Sequence, residues 1–191
     1  MTRSIIGAAV AAATAAVLCA APAHSAPLEP VAQLDLGRYL GTWHQLAANP
    51  APFNLDCARD TTATYSAVDE RNIRVENSCT TFTGERRGIV GNARINGPAA
   101  LHVSFPGVPF QEEQDGPSNY LVASVADDHS WVLVGDPTRL SGFVLSRSPA
   151  VDTAGWQQIR TVVEQQGYNS CLMFTSPNTG GLQEIRPLCT L

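Results

Sequence analysis

Between residues 41 and 148 the chain falls into short segments in which apolar and polar residues alternate, each closed by Gly, Pro, Asn or Asp. This pattern limits the fold most strongly, because a period of two marks strands with one buried face and brief connections make successive strands neighbours. GTWHQLAAN (41–49) is the first strand, stopped by Pro50 and Pro52. RDTTATYSAV (59–68) and NIRVENSCT (72–80) form a hairpin around Asp69-Glu70-Arg71-Asn72, with Ile73, Val75, Asn77 and Cys79 on one face. ERRGIVGNARI (85–95) is interrupted by Gly88 and Gly91, which predicts a bend or bulge. ALHVSF (100–105) follows the Asn96-Gly97-Pro98 turn and sets Leu101, Val103 and Phe105 on one face, His102 and Ser104 on the other. NYLVASVAD (119–127), SWVLVGD (130–136) and LSGFVLSRS (140–148) then meander through turns at Asp127-Asp128-His129 and Asp136-Pro137-Thr138. Eight strands with short, regular connections predict an all-β, antiparallel, up-and-down barrel.

The period then changes. In VDTAGWQQIRTVVEQQGY (151–168), Trp156, Ile159, Val162 and Val163 recur at helical spacing, Asp152 is the N-cap and Gly167 the stop. This is one amphipathic C-terminal helix whose Trp faces the core. A short ninth strand, CLMFTS (171–176), precedes a Pro/Gly-rich tail that carries Cys189.

The first 25 residues stand apart. A basic start at Arg3, the small-apolar run IIGAAVAAATAAVLCA and the small residues of APAHSA predict a secretory signal peptide over 1–25, cleaved after Ser25 or, alternatively, after Ala23. Cys19 raises the rival of a lipid-anchored protein, but Ala16 and Leu18 stand where a lipoprotein signal carries Leu and a small residue. Removing the leader leaves Cys57, Cys79, Cys171 and Cys189, an even number that implies two disulfides in an exported chain. No CxxC or HxxxH spacing supports a metal site. A formal charge of -5 without a run of Lys or Arg excludes a nucleic-acid surface.

Eight meandering strands, one helix and a ninth strand, with Gly41-Thr42-Trp43 on the first strand and Phe143-Val144-Leu145-Ser146-Arg147-Ser148-Pro149 ending the eighth, resemble the lipocalin family, within it the bacterial and apolipoprotein D-like branch. Thr62-Ala63-Thr64-Tyr65-Ser66 and Tyr120-Leu121-Val122-Ala123 sit where that family has similar stretches. The resemblance covers about residues 34 to 176, and places a lipocalin domain over 34–191. It implies that Trp43 plugs one end of the barrel beneath Arg147, a cation–π contact worth about 0.5–2 kcal/mol, with Gly41 avoiding a side-chain clash there. One motif departs: Ala126-Asp127-Asp128-His129-Ser130-Trp131 lacks the Tyr that the family often carries between its sixth and seventh strands. Strand topology favours the pairs Cys57–Cys79 and Cys171–Cys189, each closing a loop worth about 2–4 kcal/mol; a Cys57–Cys189 link to the tail is the rival.

The resemblance implies an exported or cell-envelope protein that binds a fatty acid, lysophospholipid or similar small hydrophobic ligand as carrier or scavenger, without a cofactor. Alternation nominates Tyr65, Leu101, Val103, Phe105, Tyr120 and Phe143 as lining residues. The loop 106–118, with Phe110 and Glu112-Glu113, reads as a lid over the mouth, a tip that touches membrane, or a plain solvated loop. No GxSxG, HExxH or phosphate-cradling loop occurs, and paired cysteines leave no thiol nucleophile, so no enzyme activity is predicted. The alternative function is an interaction module that uses the barrel rim and carries no lipid. The small residues Ala47, Ala123 and Gly142 mean either room for ligand or tight packing.

Overall fold

The computed structural model describes residues 26–52 and 55–191; the leader expected over 1–25, with Cys19, lies outside the described residues. A one-turn helix, α1 (Leu36–Tyr39), leads into β1 (Gly41–Ala48), β2 (Cys57–Ala67), β3 (Asn72–Thr81), β4 (Arg86–Gly97), β5 (Ala100–Ser104), β6 (Tyr120–Val125), β7 (Trp131–Gly135) and β8 (Gly142–Ser146). Helix α2 (Thr153–Gln165) and a two-residue strand β9 (Phe174–Thr175) follow. Each of the first eight strands pairs antiparallel with the next, and β8 pairs back onto β1, so the sheet closes. Closure removes the exposed edges that an open sheet of this size would present.

The strand alternation divides the core in two. Trp43, Ala63, Tyr65, Ile73, Val75, Ala93, Leu101, Val122, Val132, Val134 and Leu145 point inward and form one buried cluster with Tyr39 of α1. Leu46, Ala47, Leu121, Ala123, Trp131, Leu133 and Val144 face outward and are covered by Trp156, Ile159 and Val163 of α2. Ala47 and Ala123 are therefore small because a helix lies on them. Gly142 likewise lies under the ring of Tyr168. The side chain of Asp152 accepts from the amide of Gly155 at 2.8 Å, capping α2, which ends before Gly167 at φ +81°.

Several expectations change in detail. The register between β3 and β4 runs unbroken past Gly88 and Gly91, so neither is a bulge in that pairing. The bulges fall instead in β1, β2, β6 and at the β4–β5 turn. Gly91 serves close approach: a Cβ there would come within 2.3 Å of the Ser104 carbonyl oxygen and 2.5 Å of the Phe105 ring. The ninth strand is shorter than 171–176 because Ser170–Leu172 turns as a 3₁₀ helix. The tail then threads between β1 and the start of β2, where the amide of Ser176 bonds Leu46 and that of Asp60 bonds Pro177. Packing also starts before residue 34, since Leu28 is buried against the α2 side of the barrel.

The structure joins Cys57 to Cys79 and Cys171 to Cys189, with Cα–Cα separations of 5.6 and 4.9 Å. The first bond ties the start of β2 to the end of β3. The second holds the tail, and with it buried Leu188, against the 3₁₀ turn after α2.

Candidate ligand-binding site

Strand direction distinguishes the two ends of the barrel. β1 begins beside α1, so that end also holds the β2–β3, β4–β5 and β6–β7 turns; the four other connections lie at the opposite end. The α1 end is sealed. Trp43, 1% exposed, donates its indole N–H to the Tyr39 carbonyl at 2.8 Å. Arg147 lies over the indole, its Cζ 3.5 Å from the ring centroid, and donates to the carbonyls of Thr42 (2.9 Å), Leu40 (2.9 Å), Tyr39 (3.2 Å) and Arg38. One guanidinium thus satisfies the free carbonyls at the end of α1, its planar fork suiting both the stack and the bonds. Gly41 is required for a different reason than clash: its φ is +96°, while a Cβ would sit an ordinary 3.5 Å from Arg147.

Above this plug the interior carries three phenols. The hydroxyl of Tyr120 lies 2.6 Å from that of Tyr39 and 2.9 Å from that of Tyr65. The rings pack at centroid separations of 5.3 Å (Tyr39–Tyr65) and 6.3 Å (Tyr65–Tyr120). Burial pushes all three phenols up, Tyr65 to about 12, so the layer stays neutral. Tyr65 and Leu101 are buried in this inner cluster, and Val103, Phe105, Tyr120 and Phe143 are partly buried against it. All six nominated residues therefore share the barrel interior.

The lipocalin-like domain family matches residues 34–178. The chain belongs to the lipocalin family. It is 32% identical over 167 residues to the outer membrane lipoprotein Blc of Escherichia coli K12, covering 84% of this chain and 90% of that one. It is 29% identical over 156 residues to temperature-induced lipocalin-1 of Arabidopsis thaliana, covering 80% and 83%. Among solved structures, the cockroach allergen Per a 4 superposes with a TM-score of 0.61 at 16% identity, covering 79% of this chain and 92% of that one. Insecticyanin of the tobacco hornworm Manduca sexta superposes at 0.57 and 15%, covering 84% and 93%; both likenesses concern the fold. Lipocalins are, as a family, carriers of small hydrophobic ligands rather than enzymes.

The mouth of this lipocalin is ringed by four connections, and each presents an apolar side chain to solvent: Leu55, Phe82, Phe110 and Leu140, from 71% exposed to fully exposed. The opposite turns show Val68 alone as an exposed large apolar residue among the described residues. The loop 106–118 does not cross the opening. It turns tightly from Phe105 to Gln111 and then runs down the outer face of β5. There His102 places Nδ1 2.7 Å from the Pro117 carbonyl and Nε2 2.9 Å from that of Glu113, Asn96 donates to Gly116, and Arg94 pairs with Asp115. Sequence alternation placed His102 on the outer face but gave no sign of this clamp.

One feature escaped the sequence reading. Tyr39 belongs to the sealed end and to the phenol layer, yet it lies on a helix of only four residues, too short for any periodic signal. Asn77 shares the inward face of β3 with Val75 and Cys79, as alternation placed it, opposite Ala63 of β2 and Ile89 of β4. On the outside, a groove of about 630 Å³ crosses β1–β4, but its polar groups bond one another (Thr42 to Thr64, Thr62 to Ser78, Arg86 to Ser78), as a solvated sheet face does.

Proposed function

We propose that this lipocalin is exported and binds a fatty acid, lysophospholipid or similar acyl lipid inside its barrel, as a carrier or scavenger. The observation that carries the reading is the asymmetry of the barrel. One end is sealed by Trp43, Arg147 and α1; from the other, inward-facing Phe143, Phe105, Val103 and Leu101 lead down to the phenol layer. An apolar interior with a closed floor suits one extended chain with its polar end at the mouth. Two disulfides and the leader-like first 25 residues support an extracytoplasmic setting. The four apolar loop tips support peripheral contact with a membrane, where such ligands are collected or delivered.

Native mass spectrometry of the mature, oxidised protein, before and after denaturation and delipidation, tests the proposal. Discrete extra masses matching acyl lipids, restored when the lipid is added back, are the expected result. A clean apoprotein that takes up no added fatty acid or lysophospholipid would reject lipid carriage and transfer the function to the rim.

A further inference from the structure

Resting on the interior-ligand reading, we propose that Arg87 is a specificity-determining residue that receives the anionic head, carboxylate or phosphate, of a single-chain lipid at the mouth of the barrel. The other charged residues of β3 and β4 are Arg74, Glu76, Arg86 and Arg94. They alternate with the inward positions Ile73, Val75, Cys79 and Ala93 and so face outward. Arg87 lies instead on the inward row: it stands opposite Cys79 and is followed at every second position by Ile89, Gly91 and Ala93. Arg147, the cation at the opposite end, is already committed to the Trp43 ring and four carbonyls.

The β3–β4 turn is one of the four connections around the mouth, so Arg87 sits just inside the rim. β4 pairs with β5 only from Asn92, opposite Ser104, so neither Arg87 nor Ile89 has a strand neighbour on that side. Both reach solvent, the Arg87 side chain being 63% exposed and Ile89 37%. A head group therefore meets the guanidinium at the rim, outside the packed interior. Asp56 is the partner of Arg87, through Nη1. Nε and Nη2 have no protein partner among the described residues. The Cys57–Cys79 bond joins the residue after Asp56 to the residue opposite Arg87, so a covalent link already holds the two charges near each other. The Asp56 side chain is 64% exposed, and a pair so open to water contributes little to the fold. An incoming anion shares the fork or displaces the Asp56 carboxylate, and the loop stays tied either way.

A guanidinium donates and does not accept, stays charged at any physiological pH, and presents a planar fork that matches carboxylate and phosphate oxygens. An alcohol of the same chain length offers it one neutral oxygen and a weaker bond. Arg87 therefore ranks single-chain lipids by the charge on the head, and Asp56 competes with that head for the same donors.

The test compares dodecanoate, dodecyl phosphate and dodecanol, which share one alkyl chain length, by displacement of the neutral probe N-phenyl-1-naphthylamine from the mature, oxidised, delipidated protein. At about pH 8 both acids are ionised. Arg87→Gln should weaken the anions about fivefold at low salt, the scale of an exposed ion pair, and leave dodecanol unchanged, which also reports that the barrel is folded. The difference should shrink in 1 M salt, where charges are screened beyond about 3 Å. Asp56→Asn should act in the opposite direction and tighten both anions. A loss confined to one anion would name the head group that the site takes. An Arg87→Gln effect shared by dodecanol, no effect on either anion, or an Asp56→Asn variant that weakens the anions as Arg87→Gln does would overturn the role of Arg87 and leave lipid carriage standing. So would a wild type that binds dodecanol and neither anion. Failure of wild type to bind any of the three would remove both.

Discussion

The chain contains four tyrosines, and burial raises the phenol of every one: Tyr39, Tyr65 and Tyr120 inside the barrel, Tyr168 beneath the β7–β8 turn. A free phenol ionises near about 10. Above that pH the unfolded chain releases protons that the folded chain keeps, so stability is full below about 10 and falls as pH climbs toward the raised folded values. A spectrophotometric titration should therefore show no phenolate at the ordinary tyrosine midpoint, followed by a steep, cooperative rise as the protein unfolds near pH 12 or above. A component titrating near 10 in the folded protein would mean that at least one of these rings is open to water. The sealed end itself was legible, because Gly41, Trp43 and Arg147 form a motif with a physical job at each position. What could not be read was Tyr39, whose place depends on where the chain turns before β1.

At the scale of elements, period-two alternation located all eight barrel strands to within a few residues, since each buries one face on the core. The fold departs from that reading where tertiary contacts act without leaving a period. The ninth strand shrinks to two residues because its backbone is shared among β1, the tail and a 3₁₀ turn. The loop 106–118 is polar in sequence, and nothing in its composition tells a lid from a strap. His102 makes it a strap. Its two ring nitrogens lie 2.7 and 2.9 Å from the backbone carbonyls of Pro117 and Glu113. His102→Ala removes both bonds, and amide hydrogen exchange over residues 112–118 should accelerate about tenfold, while β7 and β8 keep their protection. Unchanged exchange would mean that the Asn96–Gly116 bond and the Arg94–Asp115 pair hold the loop by themselves.

For the whole molecule, the consequence of an up-and-down barrel is that alternate connections gather at one end, so properties spread along the sequence become a single surface. Leu55, Phe82, Phe110 and Leu140 lie far apart in the chain, and no local motif joins them; topology alone brings them around the mouth. Fully burying one such side chain is worth about 1.5–3 kcal/mol, so a few of them suffice for reversible adsorption to a bilayer and none resembles a membrane-spanning segment. Phe82 and Phe110 sit on hairpin and loop tips outside both buried clusters, so replacing them with Ser leaves the fold intact. The double variant Phe82→Ser/Phe110→Ser should lose at least about tenfold in partitioning to phosphatidylcholine vesicles, measured by co-sedimentation, because two half-buried rings contribute at least 1.4 kcal/mol between them. On the proposed interior site, its affinity for a soluble short-chain lipid should be unchanged, since neither ring belongs to the inner cluster. If adsorption and lipid affinity fell together, the tips would belong to the binding site; if neither changed, the apolar ring would not be what meets the membrane.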